Sequence, residues 1–322
     1  MCQPDVVSDA VSAPPVCILG LGLIGGSLLR AAVAAGRDGW GWNRSTPTVD
    51  AARADGFDAD TDLATVLRRA ADARALIVVA VPMPAVDAAL AAIAEHAPDC
   101  PITDVVSVKA EVAAAVARHG LQDRFVGGHP MAGTSESGWE AGDPELFRDA
   151  VWVVSADDGV DPSIWSQVAR LALDCGSVVV PAESREHDAA VARISHLPHV
   201  LAEALALSGA AGGDLALGLA AGSFRDGTRV AGSAPGLVRA MCEGNRSALL
   251  TALDETLDVL NRARAELADR GTLAELVESG HGARLRYENR ERWTITGIEP
   301  GTTEDWRERM RDAGRRGGVL RP

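Results

Sequence analysis

Eight residues, Gly20-Leu21-Gly22-Leu23-Ile24-Gly25-Gly26-Ser27, constrain the fold more than any other stretch. An apolar run from Val16 to Leu19 precedes them, and an apolar helical pattern follows through Ala35. Strand, glycine turn and helix in that order predict a βα unit with a mononucleotide cradle. The first glycine permits the tight turn, the second lets backbone approach a pyrophosphate, and the third lets helix pack close to strand. The free N–H groups and the positive end of the helix dipole then face the phosphates. Gly20, Gly22 and Gly25, with the backbone of Leu23 and Ile24, are the candidate dinucleotide contacts. A glycine turn alone is a weak signal, because an ordinary turn uses the same residues; the strand before it and the helix after it strengthen the reading.

The first helix is expected to end near Gly36, and Trp40-Gly41-Trp42 leads into Asn43-Arg44-Ser45 at the end of a second strand. An NAD site usually places an acidic residue here, where it binds the ribose hydroxyls and repels a 2′-phosphate. This chain has none. Asn43 is neutral, Arg44 offers a planar fork suited to phosphate and Ser45 adds a hydroxyl, so NADP+ is favoured, with NAD+ or use of both as the alternative. Arg44 could also simply face solvent.

Alternation continues downstream. Ser45 or Thr46 can cap a helix that carries Pro47, and Asp62 to Ala71 reads as a further helix. Ala75 to Val81 is an apolar, partly β-branched run of the kind buried on both faces of a parallel sheet. Val81 and Pro82 end it where an open α/β sheet meets its ligand. Helix Ala85 to Ala94 and strand Ile102 to Val105 complete a βαβαβ series, which predicts a doubly wound α/β domain over residues 14–182. From Glu183 the pattern turns to long helical stretches, an all-α second domain over 183–281. Residues 1–13 read as a flexible N-terminus, and 282–322, rich in arginine and glycine, as a loose tail or subunit arm.

Several residues carry possible chemistry. Lys109 is the only lysine among 31 basic residues, so it marks either a site that needs a compact ammonium or a chance survivor. Ser107 is either a helix cap or a ligand contact. His129, between Gly127-Gly128 and Pro130, is expected on a constrained loop, where it could take a hydroxyl proton while hydride leaves the same carbon, or simply be satisfied by backbone. Ser195-His196-Leu197-Pro198-His199 sets two histidines around an expected proline break. No third ligand has metal-site spacing, so no metal is expected. Arg225 and Arg229, flanked by Gly222 and Ser233, suggest a carboxylate clamp or a solvated helix end.

Composition excludes some classes. At 322 residues, 47% hydrophobic and 24% charged, the chain has room for two domains and a large core. A formal net charge of −14 disfavours nucleic acid as a main partner. Five scattered cysteines without a CxxC pair suit a reducing compartment. With no signal-like segment and no stretch of about 18 apolar residues, a soluble cytoplasmic protein is expected.

Taken together, the glycine turn, Asp104 to Lys109, His129-Pro130-Met131-Ala132-Gly133-Thr134, and Ser195 to His199 followed by Phe224-Arg225-Asp226 through Ser233 resemble the prephenate and arogenate dehydrogenase family of tyrosine biosynthesis. The likeness covers residues 14–265. It implies a Rossmann-type domain followed by a dimer-forming helical domain, hence a homodimer, and an NAD(P)+-dependent oxidative decarboxylation of prephenate or arogenate. By that resemblance His129 takes the ring hydroxyl proton and Ser107 bridges hydroxyl, histidine and nicotinamide. Arg229 grips a carboxylate, Arg225, Ser195, His196, His199, Thr134, Gly222 and Ser233 line the substrate pocket, and Lys109 lies at the cofactor. The chain departs from the family where Ser135 and Glu136 follow Thr134 in place of an immediate acidic residue, and where Val238 replaces a tryptophan. No small regulatory module is expected after the helical domain. The rivals are another Rossmann-plus-helical oxidoreductase, which usually carries a lysine in its helical domain, and a non-catalytic nucleotide sensor.

Overall fold

The computed structural model describes residues 13–134 and 136–322. Six parallel strands form the central sheet: β1 (Val16–Leu19), β2 (Gly39–Trp42), β3 (Asp58–Asp60), β4 (Leu76–Val79), β5 (Ile102–Asp104) and β6 (Phe125–Val126). Their spatial order is β3-β2-β1-β4-β5-β6, the doubly wound order that reverses direction between β1 and β4. Helices α1 (Leu23–Ala34), α2 (Thr46–Ala54), α3 (Leu63–Ala73), α4 (Met83–His96) and α5 (Ala110–Arg118) connect the strands.

Period-2 geometry divides the core between the two faces of the sheet. Val16 and Ile18 of β1 join Leu76 and Val78 of β4 in one apolar cluster, while Cys17 and Leu19 join Ile77 and Val79 in the other. Both faces are covered, which is why β1 and β4 read as unbroken apolar runs. The helix starts follow the local chemistry: Ser45 caps α2, whose first turn holds Pro47, and Asp62 caps α3 through the amides of Ala64 and Thr65.

A second sheet joins β7 (Gly128–Pro130), β8 (Val151–Ser155) and β9 (Val178–Ala182), with α6 (Pro162–Asp174) between the last two. Strand β7 runs antiparallel to β8, and His129 pairs with Val153. The expected His129 loop is therefore a short strand, held by a ladder that glycine and proline did not advertise.

The rest of the chain to Glu288 is helical: α7 (Ser184–Val191), a π-turn (Ala192–His196), α8 (Leu197–Ala211), α9 (Gly213–Gly218), α10 (Gly222–Thr228), α11 (Pro235–Gly244), α12 (Arg246–Arg270) and α13 (Ala274–Glu288). The expected proline break at Pro198 does not occur. Pro198 lies directly after the π-turn, and the helix runs through it: the Leu197 N–H reaches back to the Ala192 carbonyl, and this wider turn accommodates the proline without a break.

Residues beyond Glu288 are not the loose tail that their composition suggested. Strand β10 (Trp293–Thr294) pairs with β11 (Gly318–Val319), and α14 (Trp306–Arg315) lies between them. Trp306, Met310 and Ala313 are buried in the same apolar cluster as Trp165 of α6. Leu320 exchanges two backbone hydrogen bonds with Val179 of β9. Few aliphatics suffice here because α14 spends nearly all of them on one face. Among the described residues, no helix is long and apolar enough to cross a membrane.

Candidate active site

The predicted cofactor residues of the α/β domain, Gly20 to Gly25, Asn43 to Ser45, Val81 and Pro82, follow the ends of strands of the central sheet. The turn after β1 is shaped by close approach: Gly20 has φ +108°, and a Cβ on Gly25 would stand 1.9 Å from the Gly20 carbonyl oxygen. A Cβ on Gly22, by contrast, would meet nothing within 4 Å. Gly22 is the N-cap of α1 without a side-chain cap, and the first turn holds no acidic residue. Free amides, open space and the helix dipole are what a pyrophosphate needs, so this turn fits a dinucleotide.

At the end of β2, two of the three ribose candidates are engaged locally. Asn43 Oδ1 accepts from the Ser45 amide at 2.9 Å, and Ser45 Oγ accepts from the Thr48 amide at 3.4 Å. Arg44 is exposed. After β4, Val81 is buried and the exposed Pro82 precedes the first residue of α4.

Asp104, at the end of β5, organises the next segment. Its carboxylate accepts from the amides of Val106 at 3.0 Å and Gly128 at 3.2 Å, and pairs with Lys109 Nζ. Lys109 Nζ also donates to the Gly128 carbonyl at 2.6 Å. Burial raises the Asp104 carboxyl and lowers the Lys109 ammonium, and the attraction between the two opposes both shifts. Lys109 is therefore an internal post that fixes the backbone beside His129; its ammonium is fully buried rather than presented to a cofactor.

Ser107 does not cap α5. That role falls to Asp188 of α7, whose Oδ1 and Oδ2 accept from the amides of Lys109 and Ala110, each at 2.8 Å. Ser107 is half-buried between Asp104 and Lys109, with its hydroxyl free of capping. His129 is half-buried, and its Nδ1 lies 2.8 Å from Nε2 of His187, whose Nδ1 lies 2.8 Å from Asp188 Oδ1. Burial, then the neighbouring His187, Lys109 and His196, hold the His129 imidazole well below its ordinary range, so it is neutral at pH 7.

His196 is buried at the end of the π-turn. The Asn245 amide nitrogen donates to the Asp188 carbonyl at 2.8 Å and lies 3.2 Å from His196 Nδ1. His196 Nδ1 is thus an acceptor, and its proton sits on Nε2. Burial and the adjacent histidines outweigh Asp188 and lower its pKa to about 4. Ser195 Oγ reaches Met241 Sδ at 4.0 Å, while His199 is half-buried.

The two arginines stand apart from this buried network. Arg225 leans on Asp226 at 3.4 Å. Arg229 is exposed, in the short helical turn Arg229–Gly232 that follows α10. Gly222 opens α10, Ser233 ends the turn, and the exposed Thr134 accepts from the Glu136 amide at 3.2 Å. Ser135 lies outside the described residues.

Comparison with known proteins bears on this arrangement. A family model described as prephenate dehydrogenase, nucleotide-binding domain, matches residues 40–181, and one described as prephenate dehydrogenase, dimerization domain, matches residues 183–279. The chain belongs to the prephenate dehydrogenase family. A cyclohexadienyl dehydrogenase of Zymomonas mobilis is 33% identical over 283 residues, 84% of this chain and 94% of the relative. A Corynebacterium glutamicum crystal structure assigned as a prephenate dehydrogenase is 49% identical, covers 96% of this chain and 99% of its own, and superposes with a TM-score of 0.91. Synechocystis arogenate dehydrogenase is 30% identical, with 85% and 99% covered and a TM-score of 0.74. The nucleotide-binding match begins beyond the glycine turn, so the family resemblance in residues 40–279 stands independently of Gly20 to Ser27.

Membership of the prephenate dehydrogenase family makes the chain a nicotinamide-dependent oxidoreductase with a Rossmann-type domain and a dimerisation domain. Three residues of the network had no assigned role from sequence: His187, Asp188 and Asn245. His187 and Asp188 are adjacent in a helix, where neighbours do not share a face, and only the fold turns them both toward α5 and β7. An acid beside a histidine at the start of the helical domain was the one available signal.

Proposed function

We propose that this protein is a prephenate dehydrogenase, converting prephenate to 4-hydroxyphenylpyruvate and carbon dioxide as a cytoplasmic homodimer. The observation that carries the reading is a neutral, hydrogen-bonded His129 in β7, which Gly128 and Asp104 hold against the end of β5, together with an uncapped, glycine-lined helix N-terminus at the end of β1 in the same central sheet as β5. Gly20, Gly22, Leu23, Ile24 and Gly25 would hold the pyrophosphate, and Val81 and Pro82 would wall the cofactor. Arg44, beside a strand end with no carboxylate at Asn43, favours NADP+ over NAD+.

The bound nicotinamide supplies the hydride acceptor. His129 removes the ring hydroxyl proton as the carbon bearing it is oxidised, and Ser107 orients that hydroxyl. Arg229 binds a substrate carboxylate, while Arg225, Ser195, His196, His199, Thr134, Gly222 and Ser233 complete the pocket. The C–C bond to the ring carboxylate then breaks as carbon dioxide leaves. Its electron pair moves through the ring to the oxygen, which recovers a proton from His129. General-base assistance is worth roughly 10²–10⁴ in rate.

Arogenate is the second reading, favoured by the likeness to the Synechocystis arogenate dehydrogenase. Initial rates with prephenate or arogenate, each with NAD+ or NADP+, test both questions by nicotinamide absorbance. Fastest turnover is expected with prephenate and NADP+, and silence in all four mixtures overturns the reaction. In the productive mixture, His129→Asn is expected to lower kcat by roughly 10²–10⁴ while dinucleotide binding stays intact. Unchanged turnover removes His129 as the base.

A further inference from the structure

A neutral imidazole accepts a proton only through its bare nitrogen, and the contact made by the other nitrogen decides which one that is. The chain behind His129 permits one assignment in which His129 can act as the base. Asp188 accepts two backbone amides, and these amides with the His187 hydrogen bond overcome burial to hold its carboxyl below the usual carboxylate range. Its 2.8 Å contact with His187 Nδ1 is therefore a hydrogen bond donated by His187. In that assignment His187 keeps Nε2 bare, and His129 Nδ1, 2.8 Å away, donates to it. The remaining lone pair lies on His129 Nε2. We propose that His187 and Asp188 are positioning residues that hold His129 in its Nδ1–H form, keeping Nε2 as the acceptor for the substrate hydroxyl proton. This rests on the reaction given above.

The same chain stabilises the product of that transfer. As Nε2 gains the hydroxyl proton, the Nδ1 proton can shift to His187 Nε2, which places the positive charge against the Asp188 carboxylate. Asp188 itself takes no proton. When the ring oxygen recovers its proton from His129 Nε2, the other proton returns to Nδ1. The enzyme gains and loses nothing over the cycle, so the network needs no outlet to water, and His187 and Asp188 are 3% and 6% exposed. The other groups facing His129 do not compete for this role. Lys109, at the start of α5, is matched by Asp104 from β5, and His196, from the π-turn, is neutral.

The full-length holoenzyme, labelled with ¹⁵N-histidine, provides the test. Long-range ¹H–¹⁵N spectra report the tautomer of each imidazole, and the resonance lost in His129→Gln identifies His129. The wild type is expected to show His129 protonated at Nδ1 alone, and His187→Leu a mixture of forms. His187→Leu should lower kcat by about tenfold or more with KM within about twofold, since a positioning defect acts on the chemical step. His187→Gln, whose amide oxygen can accept from His129 Nδ1, should restore most of the lost rate. A wild-type His129 carrying its proton on Nε2, or an unchanged kcat in a folded His187→Leu enzyme, overturns the proposal. The spectra need no turnover, so they decide the matter even where the wild type is silent with both substrates. Should His187→Leu fail to fold, the wild-type spectrum and His187→Gln still decide it.

Discussion

The same residue type has opposite fates in the two halves of this molecule. Leu19, Leu28, Leu76 and Leu90, in the α/β half, are completely buried, whereas Leu207, Leu215 and Leu219 of the helical half are 72–75% exposed. From Ser184 to Glu288 the buried apolar side chains are Val191, Ala192, Ala202, Leu249, Ala252 and Ala263, mostly small. Helix α12, 25 residues long, contributes only three of them. The first half completes its core within one chain. The second leaves many of its leucines exposed on its surface, as expected of a dimerisation domain.

Breaking that surface should have the largest effect. Leu257 and Leu260 lie three residues apart on α12, exposed by 52% and 48%. The double substitution Leu257→Asp and Leu260→Asp is expected to convert dimer to monomer in light scattering and to abolish turnover. Dinucleotide binding by the α/β half should survive. A variant that stays dimeric would show that this leucine face serves something other than a second copy.

A smaller effect sharpens the boundary between the halves. Trp306 packs edge-to-face on Trp165, with ring centroids 5.5 Å apart, and Arg307 donates to the Val160 carbonyl. The C-terminal stretch thus belongs to the complete half, although it follows the helical half in the chain. Trp306→Ala should lower stability by about 3–5 kcal/mol in urea unfolding while leaving the dimer intact. A loss of dimer without loss of stability would reassign that stretch to the interface.

The smallest effect is at the seam, where acid should act. His129 and His196 are neutral in the folded protein, with pKa values below the ordinary 6.5, about 4 for His196. Between those values the unfolded chain binds protons that the native histidines do not. Their contribution is therefore full above pH 6.5 and lost as the pH falls from 6.5 toward 4. The thermal midpoint is expected to fall over that range, and His196→Gln should flatten the dependence. A midpoint equal at pH 7 and pH 5 contradicts it.

The α/β half was legible because its signals are local: glycine positions, period-2 runs and helix caps each sit within a few residues. The Asn43 and Ser45 side chains show the limit of such signals, since both satisfy nearby backbone amides, a use that competes with ligand binding and looks identical in sequence. Lys109 stood out by composition, yet its partners, Asp104 and the Gly128 carbonyl, required the adjacency of β5, β6 and β7. His187 and Asp188 were missed because their meaning lies 58 and 79 residues away, at His129 and Lys109. The C-terminal stretch was misread because composition averages over a helix that puts its few apolar residues on one side.

Asp188 has a mechanical consequence as well. The carboxylate that caps the start of α5 of one half is carried by α7 of the other, and Asn245 fastens the Asp188 backbone to the start of α12. Prying α5 from α7 would strand two amides and a charge at once, at roughly 1–3 kcal/mol for each buried group left without a partner. This point is a rivet rather than a hinge. The short helices α9 to α11, with their arginines, lie outside that fastening and share none of its hydrogen bonds, so a displacement there would leave His129 and His187 in place.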